Sequence, residues 1–253
     1  MRSREYFSEK STPGFAQDGR VFVTAAQMPR RPCAGTAGVV FHVLNRGVRR
    51  MTLFESPTDY YAFLALLARA QRRVPVSLLS YCLMPNHFHL VLLPEGDRDL
   101  SSFMFWLTML HSLRWHALHG TRGTGPVYQG RFKALPVQTD SHFLRLCRYV
   151  ERNPLRANLV TRAEAWPWSS LSQRLGLRRP VRLSPWPVEI PHDWTVLVNA
   201  DRGESETHEI RQAVRRSVPY GSEGWREQMG TTLGLTGRIR PMGRPKAKPG
   251  VLF

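Results

Sequence analysis

Hydrophobic and polar positions between residues 38 and 170 follow the periods of strands and helices in turn. Four segments are rich in β-branched, aromatic or continuous apolar residues and predict strands, the last from a weaker pattern: 39–44, 76–83, 87–93 and 131–138. Three segments repeat apolar residues at intervals of three and four and predict helices: 57–73, 100–119 and 140–153. The predicted order is therefore strand, helix, strand, strand, helix, strand, helix.

Local signals support the boundaries of these elements. Ser56 followed by Pro57 suits a helix start, because serine caps helices and proline fits their first turn. Met84-Pro85-Asn86 predicts a tight turn between the second and third strands. Two strands joined by a turn and flanked by strand-helix units are typical of an α+β fold with a ferredoxin-like antiparallel sheet. We expect the helices to pack on one face of this sheet.

The pattern divides the chain into three segments. Residues 1–37 are polar and mixed in charge and predict a flexible leader, with Met28 as a hypothetical alternative start of translation. Residues 38–170 carry the predicted fold. Residues 171–253 lose the clear periodicity, allow two short helices within 207–235 and end in a basic run, so we interpret them as a basic C-terminal extension.

The charge balance narrows the class of partner. The 253 residues include 36 Lys and Arg against 19 Asp and Glu, which gives a formal net charge of +17. An excess of this size indicates a polyanionic partner, more often a nucleic acid than an anionic membrane. With 42% hydrophobic residues the chain can bury a core, which excludes wholesale disorder.

Other features indicate the compartment. No apolar run approaches the ~18 residues of a membrane span, and the charged first segment has no apolar core of a secretory signal. The three cysteines are scattered and form no CxxC pair, so neither a disulfide framework nor a cysteine zinc site is indicated. A reduced, cytoplasmic protein without a membrane partner is the simplest expectation.

His87-Phe88-His89 on the third predicted strand is the first candidate for chemistry. Alternate residues of a strand face the same way, so His87 and His89 share one face and Phe88 points to the other. Two imidazoles on one face form half of a metal site. Two polar positions of a half-exposed strand would have the same pattern, so this motif alone is weak evidence.

A second candidate lies on the last predicted helix. Tyr149 and Asn153 stand one turn apart on one face, with Arg148 and Arg152 beside them. A tyrosine hydroxyl close to a metal-bound phosphate can act as a nucleophile, and an amide oxygen can be a third metal ligand. A purely structural alternative has the tyrosine packed on the sheet and Asn153 capping a helix that Pro154 opens.

Four segments together resemble a known family. They occur in the expected order and spacing within residues 38–170, and they are Phe41-His42-Val43-Leu44-Asn45-Arg46-Gly47, Met84-Pro85-Asn86-His87-Phe88-His89-Leu90-Val91, Tyr128-Gln129-Gly130-Arg131-Phe132 and Tyr149-Val150-Glu151-Arg152-Asn153-Pro154-Leu155-Arg156-Ala157. This set resembles the REP-associated tyrosine transposases, which belong to the HUH single-strand nucleases, named for a His-hydrophobic-His motif. Four motifs in order are far more specific than any one alone.

The resemblance implies an activity and a site. It implies a metal-dependent endonuclease and strand transferase that acts on single-stranded DNA at repetitive palindromic hairpins, through a 5′-phosphotyrosine intermediate. Tyr149 would be the nucleophile, and His87, His89 and Asn153 would hold Mg²⁺ or Mn²⁺. A nucleoid-associated protein is expected, acting as a monomer with its tyrosine in cis, although dimers that share their sites occur among related transposases.

Basic and amide side chains near these motifs are candidates for DNA contacts. Within the fold they are Asn45, Arg46, Arg49, Arg50, Gln129, Arg131, Lys133, Arg148 and Arg152. The tail adds Arg240, Arg244 and Lys246, and its Gly-Arg-Pro run suits a narrow minor groove, so the extension is expected to bind DNA. For any single residue, solvation of the surface is an equally good explanation.

Three other interpretations stay open. A replication initiator or relaxase would use the same chemistry but usually carries a helicase or larger accessory domain, and the chain has no GxxxxGK[ST] phosphate loop. A non-catalytic DNA- or RNA-binding regulator could have the same sheet, although such proteins display aromatic residues where this strand has His87 and His89. The third interpretation is a domesticated enzyme that cleaves hairpins of its own genome.

Overall fold

Four strands and the helices between them follow the chain order that the sequence predicts. The structure, a computed structural model, describes residues 36–201 and 203–239. The strands are β1 (Val40–Arg46), β2 (Val76–Met84), β3 (His87–Pro94) and β4 (Lys133–Val137). The helices of the same region are α1 (Pro57–Arg73), α2 (Asp99–His119), α3 (Ser141–Glu151) and α4 (Asn153–Arg156).

The sheet has the order β2-β3-β1-β4, and every neighbouring pair is antiparallel. With one helix between β1 and β2 and another between β3 and β4, this is the ferredoxin-like topology, so the predicted fold class is confirmed. The register pairs Leu44 with His89 and Arg46 with His87. The end of β1 therefore lies beside the histidine pair of β3.

The helices cover both faces of the sheet, which corrects the expectation of a single covered face. On one face, α1 and α2 pack through Phe63 and Phe103 into the same core cluster as Phe88. On the other face, α3 packs through Phe143 and Leu146. The physical reason is that β2 is apolar along nearly its whole length and is buried at eight of its nine positions, so both of its sides need cover.

The segments after Glu151 complete the second face. A new short helix follows because Pro154, at the start of α4, has no N–H to continue the ladder of α3. The later helices are α5 (Ser170–Arg174), α6 (Trp194–Asn199), α7 (Glu204–Arg216), α8 (Glu223–Thr232) and α9 (Thr236–Ile239). Trp186, Trp194 and Ile210 are buried in the same cluster as α3. The helices α7 and α8 overlap the two short helices predicted for this region.

A buried carboxylate joins α3 to this later part of the chain. Glu151, at the end of α3, accepts hydrogen bonds from Ser170 Oγ at 2.6 Å and from Trp194 Nε1 at 2.8 Å. Ser80 Oγ of β2 is a third donor, at 3.2 Å. Burial raises the pKa of Glu151, and these hydrogen bonds oppose the rise. The network fixes α5 and α6 against the helix that carries Tyr149.

Parts of the sequence-based expectations lie outside the described residues. These are the predicted leader, apart from Thr36 and Ala37, the alternative start at Met28, and Arg240, Arg244 and Lys246 of the basic tail. Within the described ranges, no helix is long and apolar enough to span a membrane.

Candidate active site

A pocket of about 780 Å³ opens where β1, β3, β4 and α3 meet. Nine of the residues singled out in the sequence line it: Asn45, Arg46, His87, His89, Gln129, Arg131, Lys133, Tyr149 and Asn153. Three further arginines complete its wall, and the sequence analysis did not select them: Arg156, Arg211 and Arg215. The structure thus brings together all four resemblance motifs with a helix from the C-terminal part.

The two histidines of β3 lie side by side in the pocket. The ring centroids of His87 and His89 are 5.0 Å apart. Burial, with help from Arg46 and Arg156, lowers the pKa of His87 to about 4. Burial also holds the pKa of His89 well below its usual range, and the neighbouring histidines and arginines add to this. Both imidazoles are therefore neutral near pH 7, the state in which they can ligate a metal.

His42 of β1 is a site residue that the sequence analysis did not select. Its Nε2 lies 2.9 Å from Nδ1 of His89, and the two rings stack with centroids 5.1 Å apart. His42 is fully buried, and burial lowers its pKa to about 3. Its position inside the Phe41–Gly47 motif was the available signal, but only the pairing of β1 with β3 makes the contact evident.

Asn86 positions the other histidine. Its Oδ1 accepts a hydrogen bond from Nδ1 of His87 at 2.7 Å. Its own backbone is held by Gly47, whose N–H donates to the Asn86 carbonyl at 3.0 Å. Gly47 has to be glycine, because a Cβ there would lie 2.4 Å from the carbonyl oxygen of Met51. The Asn45-Arg46-Gly47 motif therefore supports the turn that carries His87.

The donor atoms of this pair fit a divalent cation. The Nδ1 atoms of His87 and His89 are engaged by Asn86 and His42, so their Nε2 atoms are the ones left for a metal. No group of three or more His, Cys, Asp or Glu side chains suited to a metal occurs within residues 36–201 and 203–239. Two imidazoles therefore form an incomplete protein site, which further oxygen ligands would have to complete.

Asn153 is oriented by the helix that precedes it. Its Nδ2 donates to the carbonyls of Tyr149 and Val150 at 2.9 and 3.3 Å. Because carbonyls only accept, this fixes Oδ1 on the other side, where it accepts from the Arg156 guanidinium at 2.5 Å. The assignment of Asn153 as third ligand stays a prediction, since Arg156 shares that oxygen.

Tyr149 lies against the histidines, half-buried on α3. Its ring centroid is 5.9 Å from that of His89 and 6.2 Å from that of His42, edge-on in both cases. The guanidinium carbon of Arg156 sits 4.6 Å from the centre of the tyrosine ring. A cation in this position is attracted to the ring.

The motif from Tyr128 to Phe132 forms a side wall of the pocket. The Tyr128 hydroxyl is hydrogen-bonded to Nδ1 of His111 on α2 at 2.7 Å, and both side chains are buried. The Gln129 N–H donates to the carbonyl of Arg46 at 2.9 Å. The Asn45 amide donates to the Gly130 carbonyl at 3.3 Å, so it ties β1 to this wall. Gln129 and Arg131 are consequently held exposed at the mouth of the pocket.

Two pairs of predicted DNA-binding arginines are not brought into the pocket. Arg49 and Arg50 lie exposed on the loop after β1, with left-handed backbone angles (φ of 51° and 63°). Arg148 donates to the carbonyls of Leu197 and Ala200 and pairs with Glu206. Arg152 donates to the carbonyls of Val198 and Asn199 at 3.0 and 2.5 Å. These last two arginines hold the end of α6, on the side of α3 that faces away from the pocket.

Comparisons with known proteins found a matching family and a similar solved structure. Residues 36–153 match the family described as transposase IS200-like. A solved structure of a REP-associated tyrosine transposase bound to a REP hairpin is 21% identical, with a TM-score of 0.48, and the likeness covers 64% of this chain and 95% of that chain. No curated protein matches the chain.

Proposed function

Because residues 36–153 match the family described as transposase IS200-like, we propose that the chain cleaves and joins single DNA strands through a covalent link to Tyr149. Enzymes of this family cleave and join DNA, and they are generally metal-dependent. The resemblance of its motifs to the REP-associated type is thereby confirmed at the level of the family. The tyrosine mechanism, the metal and the hairpin substrate are the parts that we propose.

One observation carries the proposal. The Tyr149 ring, the neutral His87 and His89 pair and the Arg156 guanidinium occupy one pocket, with the tyrosine ring 5.9 Å from His89 and 4.6 Å from Arg156. A purely structural tyrosine has no need of two imidazoles with free Nε2 atoms and a cation over its ring. A nucleophile for a phosphodiester is assisted by a site for a divalent cation and by positive charge beside it.

In the proposed step, the phenol oxygen of Tyr149 attacks the phosphorus of a DNA phosphodiester. A bond forms between that oxygen and phosphorus, and the bond from phosphorus to the 3′ oxygen of the preceding nucleotide breaks. The phenol proton leaves to solvent, and the released 3′ oxygen takes up a proton. The 5′ phosphate stays on the enzyme, so the energy of the phosphodiester is retained and a 3′ hydroxyl can reverse the step to join a strand.

His87 and His89 would hold a Mg²⁺ or Mn²⁺ ion, with Asn153 as the proposed third ligand. When bound, such an ion neutralises charge on the phosphate and polarises its oxygens. The chain's own groups orient the reactants: α3 fixes Tyr149, and Asn86 and His42 fix the two imidazoles. Arg46 and Arg131 of the same pocket supply positive charge for the flanking phosphates.

All the proposed catalytic side chains lie within one chain. Tyr149 and both histidines that it faces come from the same chain. A monomer with its tyrosine in cis is therefore the proposed active form. Hairpin DNA of repetitive palindromes is the proposed substrate, since a strand next to a hairpin is single-stranded and accessible to a pocket of this size.

A covalent-trapping assay tests the proposal. Labelled hairpin DNA with single-stranded flanks is incubated with the protein and Mn²⁺, and the products are separated on a denaturing protein gel. We expect a slowly migrating labelled band that requires the metal and disappears in Tyr149→Phe and in His87→Ala. A band of normal intensity in Tyr149→Phe would disprove the nucleophile. Salt-sensitive binding without any band in the wild type would favour the non-catalytic regulator.

A further inference from the structure

Two arginines of α7 reach the pocket from far along the chain. Arg211 and Arg215 line it together with Tyr149 and the histidine pair. Both belong to α7 (Glu204–Arg216), which lies outside the region that matches the transposase family, residues 36–153. Nothing in the family match or the sequence motifs assigned these two residues a role.

The placement of α7 is fixed by contacts on its inner side. Ile210 and Ala213 are buried in the core cluster that α3 also joins. Lys133 of β4 donates from Nζ to the carbonyl of Val214 at 3.2 Å. Just after the helix, the Tyr220 N–H donates to the Pro136 carbonyl at 2.9 Å, which extends the edge of β4. The helix is thus held beside the pocket by both its core face and the strand next to it.

The outer side of α7 presents its arginines to the pocket. Arg211 and Arg215 are four residues apart, so they stand one turn apart on one face of the helix. Both side chains are exposed, whereas Ile210 and Ala213 are buried. Folding of α7 therefore does not require these arginines, and their position is a consequence of which face packs on the core.

The charge of the pocket suits a phosphate backbone. Its cationic lining residues are Arg46, Arg131, Lys133, Arg156, Arg211 and Arg215, and no Asp or Glu occurs among the described residues that line it. Strand β1, the 128–132 wall, β4 and α4 supply four of these cations, and α7 supplies the other two. A row of negative charges passing through the pocket is attracted to all of them.

We propose that α7 is one wall of the DNA path, and that Arg211 and Arg215 bind phosphates of the single strand that enters the active site. This inference rests on the proposed function, because it names how the same site holds its substrate. It adds a binding element outside the family domain. The chemical class of ligand is a single-stranded polynucleotide, recognised through its backbone charge.

Binding measurements on the full chain test this inference without cleavage. A fluorescent oligothymidylate is titrated with wild type, with Arg211→Ala/Arg215→Ala and with the control Arg72→Ala/Arg122→Ala, all in EDTA at several salt concentrations. The control removes the same charge from exposed arginines that do not line the pocket. Two lost phosphate contacts should make the slope of log K against log salt shallower by about 1.4. The ratio of the wild-type binding constant to that of the α7 variant should then fall about 7-fold between 50 and 200 mM salt.

A neutral ligand separates phosphate binding from other effects. With an oligothymidylate whose phosphates are replaced by methylphosphonates, the wild type and the α7 variant should bind equally. A difference that persists with the neutral strand would overturn the inference. Equal salt slopes for the α7 variant and the wild type with the natural strand would overturn it as well, and so would an equal loss in the control.

Failure of the α7 inference and failure of the proposed function give different results. If the wild type forms the covalent adduct but the α7 variant keeps the wild-type salt slope, the function stands and the role of α7 is wrong. If the wild type forms no adduct but the α7 variant has the expected shallower slope of log K against log salt, α7 binds DNA and the tyrosine mechanism is wrong.

Discussion

Nε2 of His42 lies 2.9 Å from Nδ1 of His89, in the buried interior beneath the pocket. One of the two nitrogens must carry the shared proton. If His89 donates from Nδ1, its Nε2 presents a lone pair to the pocket, whereas if His42 donates, Nε2 of His89 carries a proton and cannot ligate a metal. His42 Nδ1 is buried without a partner among the described residues, so no competing hydrogen bond fixes the His42 tautomer. His42 can therefore accept from His89 when a cation is bound.

The first prediction concerns this contact. His42→Phe removes the acceptor for His89 Nδ1 and should weaken Mn²⁺ binding about 10–100-fold, the usual effect of losing a group that orients a metal ligand. His42→Gln should recover part of the affinity, because an amide oxygen can accept the same hydrogen bond. Titration calorimetry with Mn²⁺ measures this, with His119→Ala as a control far from the pocket. Unchanged affinity in His42→Phe would show that His89 needs no partner.

The second prediction concerns the cation over the tyrosine ring. Arg156→Ala should slow formation of the covalent adduct by about 10²–10³-fold, because charge develops on the phenol and phosphate oxygens in the transition state. Arg156→Lys should restore a fraction of the rate. Single-turnover kinetics on a denaturing gel give the rate, with the exposed Arg162→Ala as control. A rate within twofold of the wild type in Arg156→Ala would exclude this role.

The third prediction concerns stability and pH. Burial lowers the pKa of His111 to about 4, and its neighbours Asp59 and Arg114 act on it in opposite directions. An exposed histidine has a pKa of ~6.5, so between these values the unfolded chain binds a proton that the folded chain excludes. The free energy of unfolding should therefore fall as the pH falls from about 6.5 to about 4, by about 3 kcal/mol from this group.

Denaturant unfolding of the wild type and His111→Gln at several pH values checks this contribution. The variant keeps a hydrogen-bonding group for Tyr128 but has no proton to take up. Its free energy of unfolding should therefore fall less steeply as the pH falls, and the slopes of the two proteins should differ by up to about 1.4 kcal/mol per pH unit. Because the comparison is between two proteins with the same remaining histidines, the difference reports His111 alone. Parallel curves for the two proteins would mean that His111 titrates normally in the folded state.

The fourth prediction concerns the buried carboxylate. Glu151→Leu leaves the N–H of Trp194 without its acceptor, whereas the hydroxyls of Ser80 and Ser170 keep each other and the Tyr81 carbonyl, so it should cost about 1–3 kcal/mol. Glu151→Gln should cost less, since its amide oxygen can accept from Trp194 while its NH₂ faces the two hydroxyls. Thermal and denaturant unfolding of both variants test this. A Leu variant as stable as the wild type would show that the network contributes specificity rather than stability.

Local patterns were enough to predict the sheet elements and the core of the site. The period of two along 87–89 put both histidines on one face, and the structure confirms that they share the pocket. The contact of His42 with His89 was not predictable in this way, because it spans 47 residues and depends on the pairing of β1 with β3. The second covered face of the sheet likewise depends on where α3 packs, which its own periodicity does not decide, and on later segments that have little periodicity.

The helix pattern was correct in period but did not decide which face met the pocket. Arg148 and Arg152 each precede Tyr149 and Asn153 by one residue, which is about 100° around the helix axis. With Tyr149 and Asn153 facing the pocket, the two arginines therefore face away from it. Their partners are carbonyls of α6, roughly fifty residues later in the chain. Arg211 and Arg215 were missed for the same reason, since only the packing of α7 brings them to the site.

The central claim is that Tyr149 becomes covalently attached to DNA, and peptide mass spectrometry tests it most directly. Trypsin cuts after Arg148 and Arg152, so Tyr149 lies in the short peptide Tyr149-Val150-Glu151-Arg152. After reaction with hairpin DNA and Mn²⁺ and digestion of the DNA, we expect this peptide to carry a 5′-phosphorylated nucleotide on the tyrosine oxygen. A trapped adduct whose nucleotide maps to any other residue, with this peptide unmodified, would contradict the account.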